Sequence, residues 1–427
     1  MNWRHGFTFL VLSLIGYSAD SSAAAGAVRV EIVKSGPGYE LLRAGKPYEI
    51  RGAGLEYGDM ASFAAHGGNS IRNWTTDNAA AVLDTAQSNG ITVALCLCLQ
   101  SERWGFDYND ATVVAAQLEL MRAEVLKYRD HPALLAWIIG NELNFDYTNS
   151  KVYDAVNDVS EMIHELDPNH PTTTAVAGLG ENVVSDLESR APDLDFYSFQ
   201  VYGALALLPE FLQKAKFDKP IWITEWGAIG HWEVPKTNWG APIEMTSTEK
   251  AMVYRQGFEN YIEPWQGKVL GSYAFLWGQK QERTATWYGM FLESGEETET
   301  VDVMHWLWNG EWPENRSPAV QPIMLDGKTS QQSVQLKSGQ TYQATIAATD
   351  HDSLSYRWEL KPESDAEEVG GDLETPIASI DSSLSQQRSA LAQIVAPATP
   401  GAYRLFVTVY DGNKHAAHAN IPFLVTR

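Results

Sequence analysis

The sequence predicts a closed (β/α)8 barrel followed by a smaller β-sandwich. From residue 48 to about residue 308, short apolar runs alternate with amphipathic helical segments, which is the usual pattern and length of such a barrel. After residue 315 the helical periodicity ends, and short alternating runs take over between acidic, Ser-rich and Gly-rich turns. A doubly wound open sheet is the main alternative, but no Gly-rich dinucleotide fingerprint follows the first strand.

The eight barrel strands and the helices between them follow from the positions of these runs. Residues 27–33 and 39–42 alternate around Ser35-Gly-Pro-Gly38, which predicts a hairpin before the barrel. The strands are predicted at residues 48–52, 70–74, 91–97, 134–140, 172–177, 196–201, 221–224 and 269–276. Helices are predicted at residues 59–66, 77–89, 111–128, 151–166, 248–262 and 299–308. Asp77 is expected to cap the second helix, and Gly90 is expected to end it.

The C-terminal part of the chain has the pattern of an all-β module. Alternating runs at residues 341–347, 354–360, 391–395, 403–410 and 421–425 predict an immunoglobulin-like (PKD-like) sandwich over residues 318–427, with Trp358 in its core. The barrel with its hairpin is predicted to occupy residues 26–314. Because the module shows no exposed aromatic row, a spacer or partner-docking role is expected for it, with sugar binding as the alternative.

The composition points to a neutral partner. The chain has 427 residues, of which 44% are hydrophobic and 20% charged, which is ordinary for a soluble globular protein. Its formal net charge of −23 argues against binding to nucleic acid or to an anionic membrane, since like charges would have to approach each other. A sugar polymer fits this charge better.

The N-terminus has the layout of a secretory signal peptide. A basic start is followed by an apolar stretch at residues 6–16 and by small residues at 21–27, which predicts a signal over residues 1–25. A membrane anchor is the alternative, but the apolar stretch is too short to span a bilayer. The mature protein is therefore expected to be secreted or periplasmic, without a membrane span.

Two cysteines are present, and neither suggests a redox or metal site. Cys96 and Cys98 lie two residues apart in one apolar run, so they face the same side of a strand and are expected to be buried free thiols. The scattered His and acidic residues show no metal-ligand spacing, and no metal or cofactor is expected.

The residues with the clearest chemical signal are two glutamates at strand ends. Glu142 closes the run Ala-Trp-Ile-Ile-Gly-Asn-Glu after the fourth strand, and Glu225 stands in Ile-Trp-Ile-Thr-Glu-Trp-Gly at the seventh. Glu is rarely buried without a partner, and the carboxyl ends of barrel strands form the catalytic face of this fold. Two carboxylates there can serve as the acid and the nucleophile of glycoside cleavage, which in the retaining mechanism lie roughly 5 to 5.5 Å apart.

These two motifs resemble those of a known enzyme superfamily. Gly-Asn-Glu and Ile-Thr-Glu-Trp-Gly are similar to the acid/base and nucleophile motifs of clan A retaining β-glycosidases, and most of all to the catalytic barrels of glycoside hydrolase families 2 and 5. Tyr128-Arg-Asp-His-Pro132 also resembles the helix-to-strand passage of family 2 barrels. The resemblance covers residues 48–308. The N-terminal sandwich domains of full-length family 2 enzymes have no counterpart in this sequence.

The resemblance implies a role for each matching residue. Glu142 becomes the general acid/base and Glu225 the nucleophile, while Asn141 contacts the sugar 2-hydroxyl. It also implies that Arg72 and Tyr202 support the nucleophile and that Trp277 forms an aromatic floor under the sugar. Each supporting residue has a plainer interpretation: Arg72 as a buried ion-pair partner, Asn141 as a turn cap, and Tyr202 and Trp277 as core aromatics.

The predicted activity is retaining hydrolysis of a β-linked polysaccharide or oligosaccharide, with β-glucan as the expected substrate. The alternatives are a β-1,3-glucan transglycosylase, a β-mannan or β-galactoside hydrolase and a non-enzymatic carbohydrate-binding barrel. The oligomeric state stays open. A sugar platform is expected from two or three of the tryptophans near the predicted catalytic face: Trp74, Trp104, Trp226, Trp232, Trp239 and Trp287.

Overall fold

The structure is a computed structural model that describes residues 26–56, 58–215, 217–367, 371–380, 384–385 and 388–427. The predicted signal peptide lies outside these residues. None of the helices in the described ranges is long and apolar enough to cross a membrane.

Within the described residues, eight parallel strands close into a barrel, as the sequence predicts. Each strand pairs with its neighbours in chain order, and the last strand pairs with the first. The strands are β4 (Gly52–Gly54), β5 (Ser70–Arg72), β6 (Thr92–Leu97), β7 (Leu134–Asn141), β8 (Thr172–Ala177), β9 (Tyr197–Gln200), β10 (Ile221–Gly227) and β11 (Val269–Phe275). The fourth and seventh barrel strands are therefore β7 and β10.

Helices cover the outside of the barrel between successive strands. They are α1 (Met60–Ala65), α2 (Ala79–Ser88), α3 (Ala111–Tyr128), α4 (Lys151–Leu166), α5 (Glu181–Arg190), α6 (Leu208–Lys214), α7 (Ser247–Gly257) and α8 (Glu299–Asn309). Helix α7 continues through a π turn at Phe258–Ile262, so the helical segment ends where the predicted helix of residues 248–262 ends. Its N-terminus has a capping box between Thr246 and Glu249, which satisfies two backbone N–H groups.

The first barrel strand begins later than predicted, because close packing here depends on glycine. The prediction over residues 48–52 followed the apolar side chains, whereas the paired strand is Gly52–Gly54. A Cβ atom at Gly52 would lie 2.6 Å from the Ser272 carbonyl oxygen, and one at Gly54 would lie 2.6 Å from the Trp74 ring. Glycine therefore allows the last strand and the Trp74 ring to approach β4 closely.

The predicted cap of the second helix is wrong. Helix α2 begins at Ala79, after Asn78 in a left-handed conformation (φ 57°) that makes no side-chain cap. Asp77 instead lies in the preceding turn, where its N–H donates to the Thr75 hydroxyl at 3.0 Å. Asn tolerates the left-handed region, so the chain turns one residue later than the Asp cap requires.

The predicted N-terminal hairpin is present and covers the end of the barrel opposite the carboxyl ends of the strands. Strands β1 (Val30–Ser35) and β2 (Gly38–Arg43) pair antiparallel, and β3 (Lys46–Pro47) adds to them. The backbone of Val30 donates to Asn169, that of Tyr39 donates to Gly267, and the Arg43 side chain donates to Pro132. All three acceptors lie just before barrel strands, and Val30 packs into the apolar interior of the barrel.

The C-terminal part consists of strands around a separate core. Its described strands are β12 (Ala319–Val320), β13 (Met324–Leu325), β14 (Gln335–Lys337), β15 (Thr341–Thr345), β16 (Ala348–Thr349), β17 (Ser355–Pro362), β18 (Leu384–Ser385), β19 (Leu391–Val395), β20 (Gly401–Tyr410) and β21 (Ala416–Thr426). One four-stranded sheet has the order β13-β15-β19-β18 and the other β14-β21-β20-β17. Trp358 lies in the core between them, and its indole N–H donates to the Ser389 carbonyl at 2.9 Å.

A buried polar cluster joins the barrel to the C-terminal sheets. The Glu244 carboxylate accepts hydrogen bonds from Lys250 at 2.6 Å, from Asn420 of β21 at 2.6 Å, and from Thr284 and Thr286. The side chains of Glu244 and Lys250 are almost fully buried. Because an isolated buried charge is costly, the hydrogen bonds from both parts of the chain satisfy the Glu244 carboxylate at this junction.

Candidate active site

A cavity of about 550 Å³ opens at the carboxyl ends of the barrel strands. Its lining includes Glu142 and Glu225, so both predicted carboxylates reach the same cavity. Asn141 and Tyr202 also line it. This end of a parallel barrel carries the variable loops, and it is where the fold places its chemistry.

Glu225 is aimed into the cavity by an irregularity in its own strand. The register of β10 shifts at Glu225 against β9, and it also shifts between Ile223 and Trp226 against β11. Such a bulge changes the direction of a side chain without ending the strand. The carboxylate is 6% exposed and faces the mouth of the barrel.

The Glu225 carboxylate is surrounded by hydrogen-bond donors. Arg72 contacts Oε1 at 2.6 Å, and the Trp74 indole and the Gln200 amide donate to the same oxygen at 2.8 and 2.9 Å. The Tyr202 hydroxyl donates to Oε2 at 2.6 Å. The Arg72 guanidinium also stacks 4.6 Å from the centre of the Trp74 ring. A buried cation and these donors stabilise negative charge on this carboxylate.

Glu142 stands at the turn where the chain leaves β7. Its backbone is in the left-handed region (φ 48°), as is that of Gly140 (φ 74°). The Glu142 N–H donates to the Ala175 carbonyl at 2.8 Å, and its own carbonyl accepts from Phe145. A non-glycine residue in this conformation is strained, and such strain is concentrated at functional sites. The turn directs the side chain into the cavity.

The two carboxylates are in opposite electrostatic environments. Burial raises the pKa of Glu142 to about 8, and the negative charge of Glu225 adds to this effect. Burial and the neighbouring Glu225 also raise the pKa of Tyr202 well above its usual value, so its hydroxyl remains a donor. The raised pKa keeps the Glu142 carboxyl group largely protonated at neutral pH, in the same cavity as the Glu225 side chain that contacts Arg72.

Asn141 is fixed by two donors. Its Oδ1 accepts from Arg72 at 2.9 Å and from Gln200 at 2.7 Å. Both contacts require the amide oxygen on that side, which leaves the NH2 group as a donor for another partner. Asn141 is thus part of the hydrogen-bond network around Glu225, which differs from a simple turn cap.

Trp277 is among the residues that line the cavity, although its side chain is 0% exposed. Its ring packs against Phe63 of α1, Trp308 of α8 and Phe291, with ring centres 5.2 to 5.7 Å away. The aromatic floor assigned to this ring stays a prediction. Phe275, the last residue of β11, lines the cavity and makes edge-on contacts with Trp74 and Tyr202.

The candidate platform tryptophans fall into distinct groups. Trp104 and Trp232 line the cavity with 64% and 53% of their surface exposed, on loops that follow β6 and β10. In the closed strand order β6 and β10 lie on opposite sides of the barrel. Trp74 lines the cavity as a donor to Glu225, whereas Trp226 and Trp287 are core residues and Trp239 is half-buried away from the cavity lining.

Two ion pairs lie in the loops around the cavity. Lys280 contacts Glu282 at 2.6 Å, and Arg103 contacts Asp372 at 3.1 Å. Burial would raise the pKa of Glu282, but the hydrogen bond from His231 and the Lys280 charge outweigh it and lower the pKa. Among the described residues, no group of three or more His, Cys, Asp or Glu side chains is arranged to hold a metal ion.

Sequence reasoning missed two parts of this site. Gln200 ends β9 and contacts both Asn141 and Glu225. A polar residue at the end of a buried strand is the same signal that identified the two glutamates, so it could have been found. The second part is the stretch Gly371-Asp-Leu373, which lines the cavity from the C-terminal part of the chain. No local pattern predicts that contact.

Curated relatives of the chain are mannan-degrading enzymes. The chain is 33% identical over 112 residues to mannan endo-1,4-beta-mannosidase F of Aspergillus clavatus, covering 23% of this chain and 26% of that enzyme. The same enzyme of Aspergillus fumigatus is 31% identical over 110 residues, covering 22% of this chain and 25% of that one. The matched stretch thus spans about a quarter of the length of these relatives.

Solved structures with the same fold are also glycoside hydrolases. The beta-glucuronidase of Bifidobacterium dentium superposes with a TM-score of 0.53 at 17% identity, over 66% of this chain and 49% of that one. A putative beta-galactosidase from Bacteroides fragilis superposes with a TM-score of 0.52 at 12% identity, over 94% of this chain and 58% of that one. At such low identity these matches establish the fold alone.

The barrel fold and the local similarity to mannan endo-1,4-beta-mannosidases support the resemblance of the two glutamate motifs to clan A retaining β-glycosidases. The family model described as "Apiosidase-like, catalytic domain" matches residues 68–295, which is more than half of the chain. The chain belongs to this Apiosidase-like family.

Proposed function

We propose that the protein is a secreted retaining β-glycosidase that hydrolyses a neutral β-linked polysaccharide by double displacement. One observation carries this proposal: the cavity contains two carboxyl groups in different environments. Glu225 accepts hydrogen bonds from Arg72 and Tyr202, whereas the pKa of Glu142 is raised. Retaining glycosidases need this division between a nucleophile and an acid. The proposal gives Glu225 the first role and Glu142 the second.

In the first step, Glu225 attacks the anomeric carbon while Glu142 protonates the departing oxygen. The proton comes from the neutral acid that burial maintains, and the leaving sugar departs as an alcohol. In the second step, Glu142, now a carboxylate, removes a proton from water, and the resulting attack releases the sugar from Glu225. Transfer to a sugar hydroxyl instead of water would give the transglycosylase alternative.

Asn141 and Tyr202 act around this reaction centre. Because Asn141 Oδ1 accepts from Arg72 and Gln200, its NH2 group is the donor that remains for a sugar hydroxyl. Tyr202 donates to Oε2 of Glu225 and fixes the carboxylate orientation before attack. Phe275 offers an apolar surface to the sugar in addition to the one predicted for Trp277.

The charges of the cavity favour a neutral sugar over a uronic acid. Arg72, Arg103 and Lys280 already face carboxylates at 2.6 to 3.1 Å. Apart from the neutral Glu142, four acidic side chains line the cavity, and they outnumber the lining cations Arg103 and Lys280: Glu56, Glu225, Glu282 and Asp372. A carboxylate on the substrate would add repulsion without gaining an unpaired cation.

β-Glucan is the substrate that the sequence predicts, and β-mannan is a second candidate because the curated relatives are mannan endo-1,4-beta-mannosidases. The family description adds an apioside to the substrates that have to be tested. We also propose, as the sequence predicts, that the protein is secreted, that the barrel with its hairpin occupies residues 26–314 and that residues 318–427 form an immunoglobulin-like sandwich.

Product analysis tests the proposal. Purified protein is incubated with β-1,3-glucan, β-1,4-glucan, β-1,4-mannan and aryl β-glycosides of glucose, mannose, galactose, apiose and glucuronic acid. The configuration of the first product is followed by proton NMR. We expect release of a β-anomer from a neutral substrate and no turnover of the glucuronide. Initial release of the α-anomer would contradict retention, and binding without turnover would favour a carbohydrate-binding barrel.

A further inference from the structure

The C-terminal part of the chain reaches the cavity through residues 371–373, which we call the sandwich loop. Gly371, Asp372 and Leu373 line the cavity together with residues that follow the barrel strands. The cavity is therefore assembled from both parts of the chain, and the sequence-based expectation of a spacer role does not account for this contact.

The sandwich loop is held against the barrel at two places. Asp372 contacts the Arg103 guanidinium at 3.1 and 3.5 Å, and Arg103 belongs to the loop after β6. Glu374, which directly follows the loop, accepts a hydrogen bond from the Arg283 backbone N–H at 2.7 Å. The Arg283 side chain donates a hydrogen bond to the Ala366 carbonyl. These contacts involve barrel loops after β6 and β11, so the loop position is fixed from both sides.

Two exposed apolar side chains lie beside this ion pair. Leu373, next to Asp372, is 94% exposed, and Trp104, next to Arg103, is 64% exposed. Both line the cavity. The Arg103 guanidinium covers one side of the Trp104 ring at 4.5 Å from its centre. Large apolar groups left in water at the edge of a cavity mark a surface that a ligand covers, and aromatic rings suit the apolar faces of sugars.

The position of Trp104 relative to Glu142 is also fixed. Glu102 accepts from the backbone N–H groups of Thr148 and Asn149 at 2.7 and 2.9 Å, which ties the segment before Trp104 to the turn after Glu142. Arg103 lies 5.1 Å from the centre of the Phe145 ring in that turn. The surface made by Trp104 and the sandwich loop is therefore adjacent to the side of the cavity that carries Glu142.

We propose that Trp104 and Leu373 form a subsite for the leaving-group side of a bound oligosaccharide, with the Arg103–Asp372 ion pair as the support that holds its two halves together. This inference depends on the proposed function, because the acid must stand next to the oxygen of the departing sugar. The sugar released first then extends from Glu142 across the junction between the barrel and the C-terminal sheets. The C-terminal part is a component of the substrate site, and its contribution grows with chain length.

The test compares Leu373→Gln with Leu120→Gln. Leu120 is 65% exposed on the outside of α3, so it is a matched control with the same change of side chain. For each variant, kcat/KM is measured on cello- and manno-oligosaccharides of two to six units and on the corresponding 4-nitrophenyl glycosides. We expect Leu373→Gln to lower the ratio of kcat/KM for the hexasaccharide to that for the aryl glycoside about tenfold, the factor for one lost apolar contact. Leu120→Gln should leave this ratio unchanged.

Binding measurements separate this inference from the proposed function. The affinity of Glu225→Gln for the same oligosaccharides is determined by calorimetry, with and without Leu373→Gln. A length-dependent loss of affinity supports the subsite even if the unmodified protein shows no turnover, in which case the proposed function fails alone. An equal loss on all substrate lengths, or no loss on the hexasaccharide, would overturn the subsite. Trp104→Ala gives an independent second variant with the same expected length dependence.

Discussion

Two buried ion pairs in this protein look alike and differ in what surrounds them. Arg72 and Glu225 meet at 2.6 Å in the mouth of the barrel, and Lys250 and Glu244 meet at 2.6 Å in the junction with the C-terminal sheets. Both carboxylates accept further hydrogen bonds, from Trp74, Gln200 and Tyr202 in the first case and from Asn420 and two threonines in the second.

The difference is the presence of a cavity and a second acid. Glu225 faces the cavity beside Glu142, whose pKa burial raises to about 8. Burial opposes ionisation of Glu244, but the charge of Lys250 outweighs it and lowers the pKa to about 2. A buried ion pair by itself therefore indicates structure as readily as function. The functional signal is a supported carboxylate next to a neutral acid in an open space.

The largest expected contrast is in activity. Glu225→Gln removes the proposed nucleophile, so kcat/KM on an aryl β-glycoside should fall by at least about 10⁴-fold. Glu244→Gln changes the same type of side chain at the junction and should keep activity within about tenfold of the unmodified protein when assayed below its unfolding temperature. Circular dichroism confirms the folded state of each variant. Equal activity losses in the two variants would remove the distinction between the pairs.

The next contrast is the pH dependence of the proposed acid. The neutral form of Glu142 donates the proton, and its raised pKa means that this form is lost as pH rises through about 8. We expect kcat/KM to fall tenfold per pH unit above that value. Glu142→Gln should lower kcat/KM about 10²- to 10³-fold on glycosides with poor leaving groups, and it should abolish this alkaline limb. An unchanged limb in the variant would assign the titration to another group.

At the junction the expected effect is on stability. Lys250→Met leaves the Glu244 carboxylate buried without its cation, which should lower the free energy of unfolding by about 3–5 kcal/mol. Combining Lys250→Met with Glu244→Gln removes both charges and should recover most of this loss. Urea denaturation at pH 7 measures both values. If Lys250→Met alone were as stable as the unmodified protein, the junction pair would contribute little to the free energy of unfolding.

The last contrast concerns acid sensitivity. His418 of β21 is buried near Glu244, and burial, followed by the charge of Lys250, lowers its pKa to about 3. The unfolded chain binds this proton below about pH 6.5, so the stabilising contribution present above that pH is lost as pH falls toward 3. His418→Leu should reduce the slope of unfolding free energy against pH by about 1.4 kcal/mol per pH unit in this window. An identical slope in the variant and in the unmodified protein would exclude His418 as the source of this pH dependence.

Much of the site could be predicted from the sequence, because barrel geometry brings strand ends together. Glu142, Asn141 and Glu225 stand at the ends of long apolar strands, and Arg72 and Tyr202 stand at or just past the ends of their strands. Parallel strands in a closed barrel all end at one face, so residues far apart in the chain converge there.

The other features of the fold and the site depend on packing details that the pattern of apolar and polar residues does not predict. The burial of the Trp277 ring depends on its packing against Phe63 and Trp308 beyond the end of β11. The start of β4 depends on how closely Tyr273 and Trp74 approach two glycines. The sandwich loop reaches Arg103 from the other part of the chain, and that contact depends on how two separate cores pack against each other.

The hairpin of β1 and β2 links the stability of the barrel to a part of the chain far from the cavity. It seals the floor of the cylinder, where Val30 and Leu41 meet the inward side chains Trp222 and Tyr273. We expect a shortened protein that starts at residue 48 to keep every group of the cavity but to expose this apolar floor to water, which should lower its midpoint of thermal unfolding.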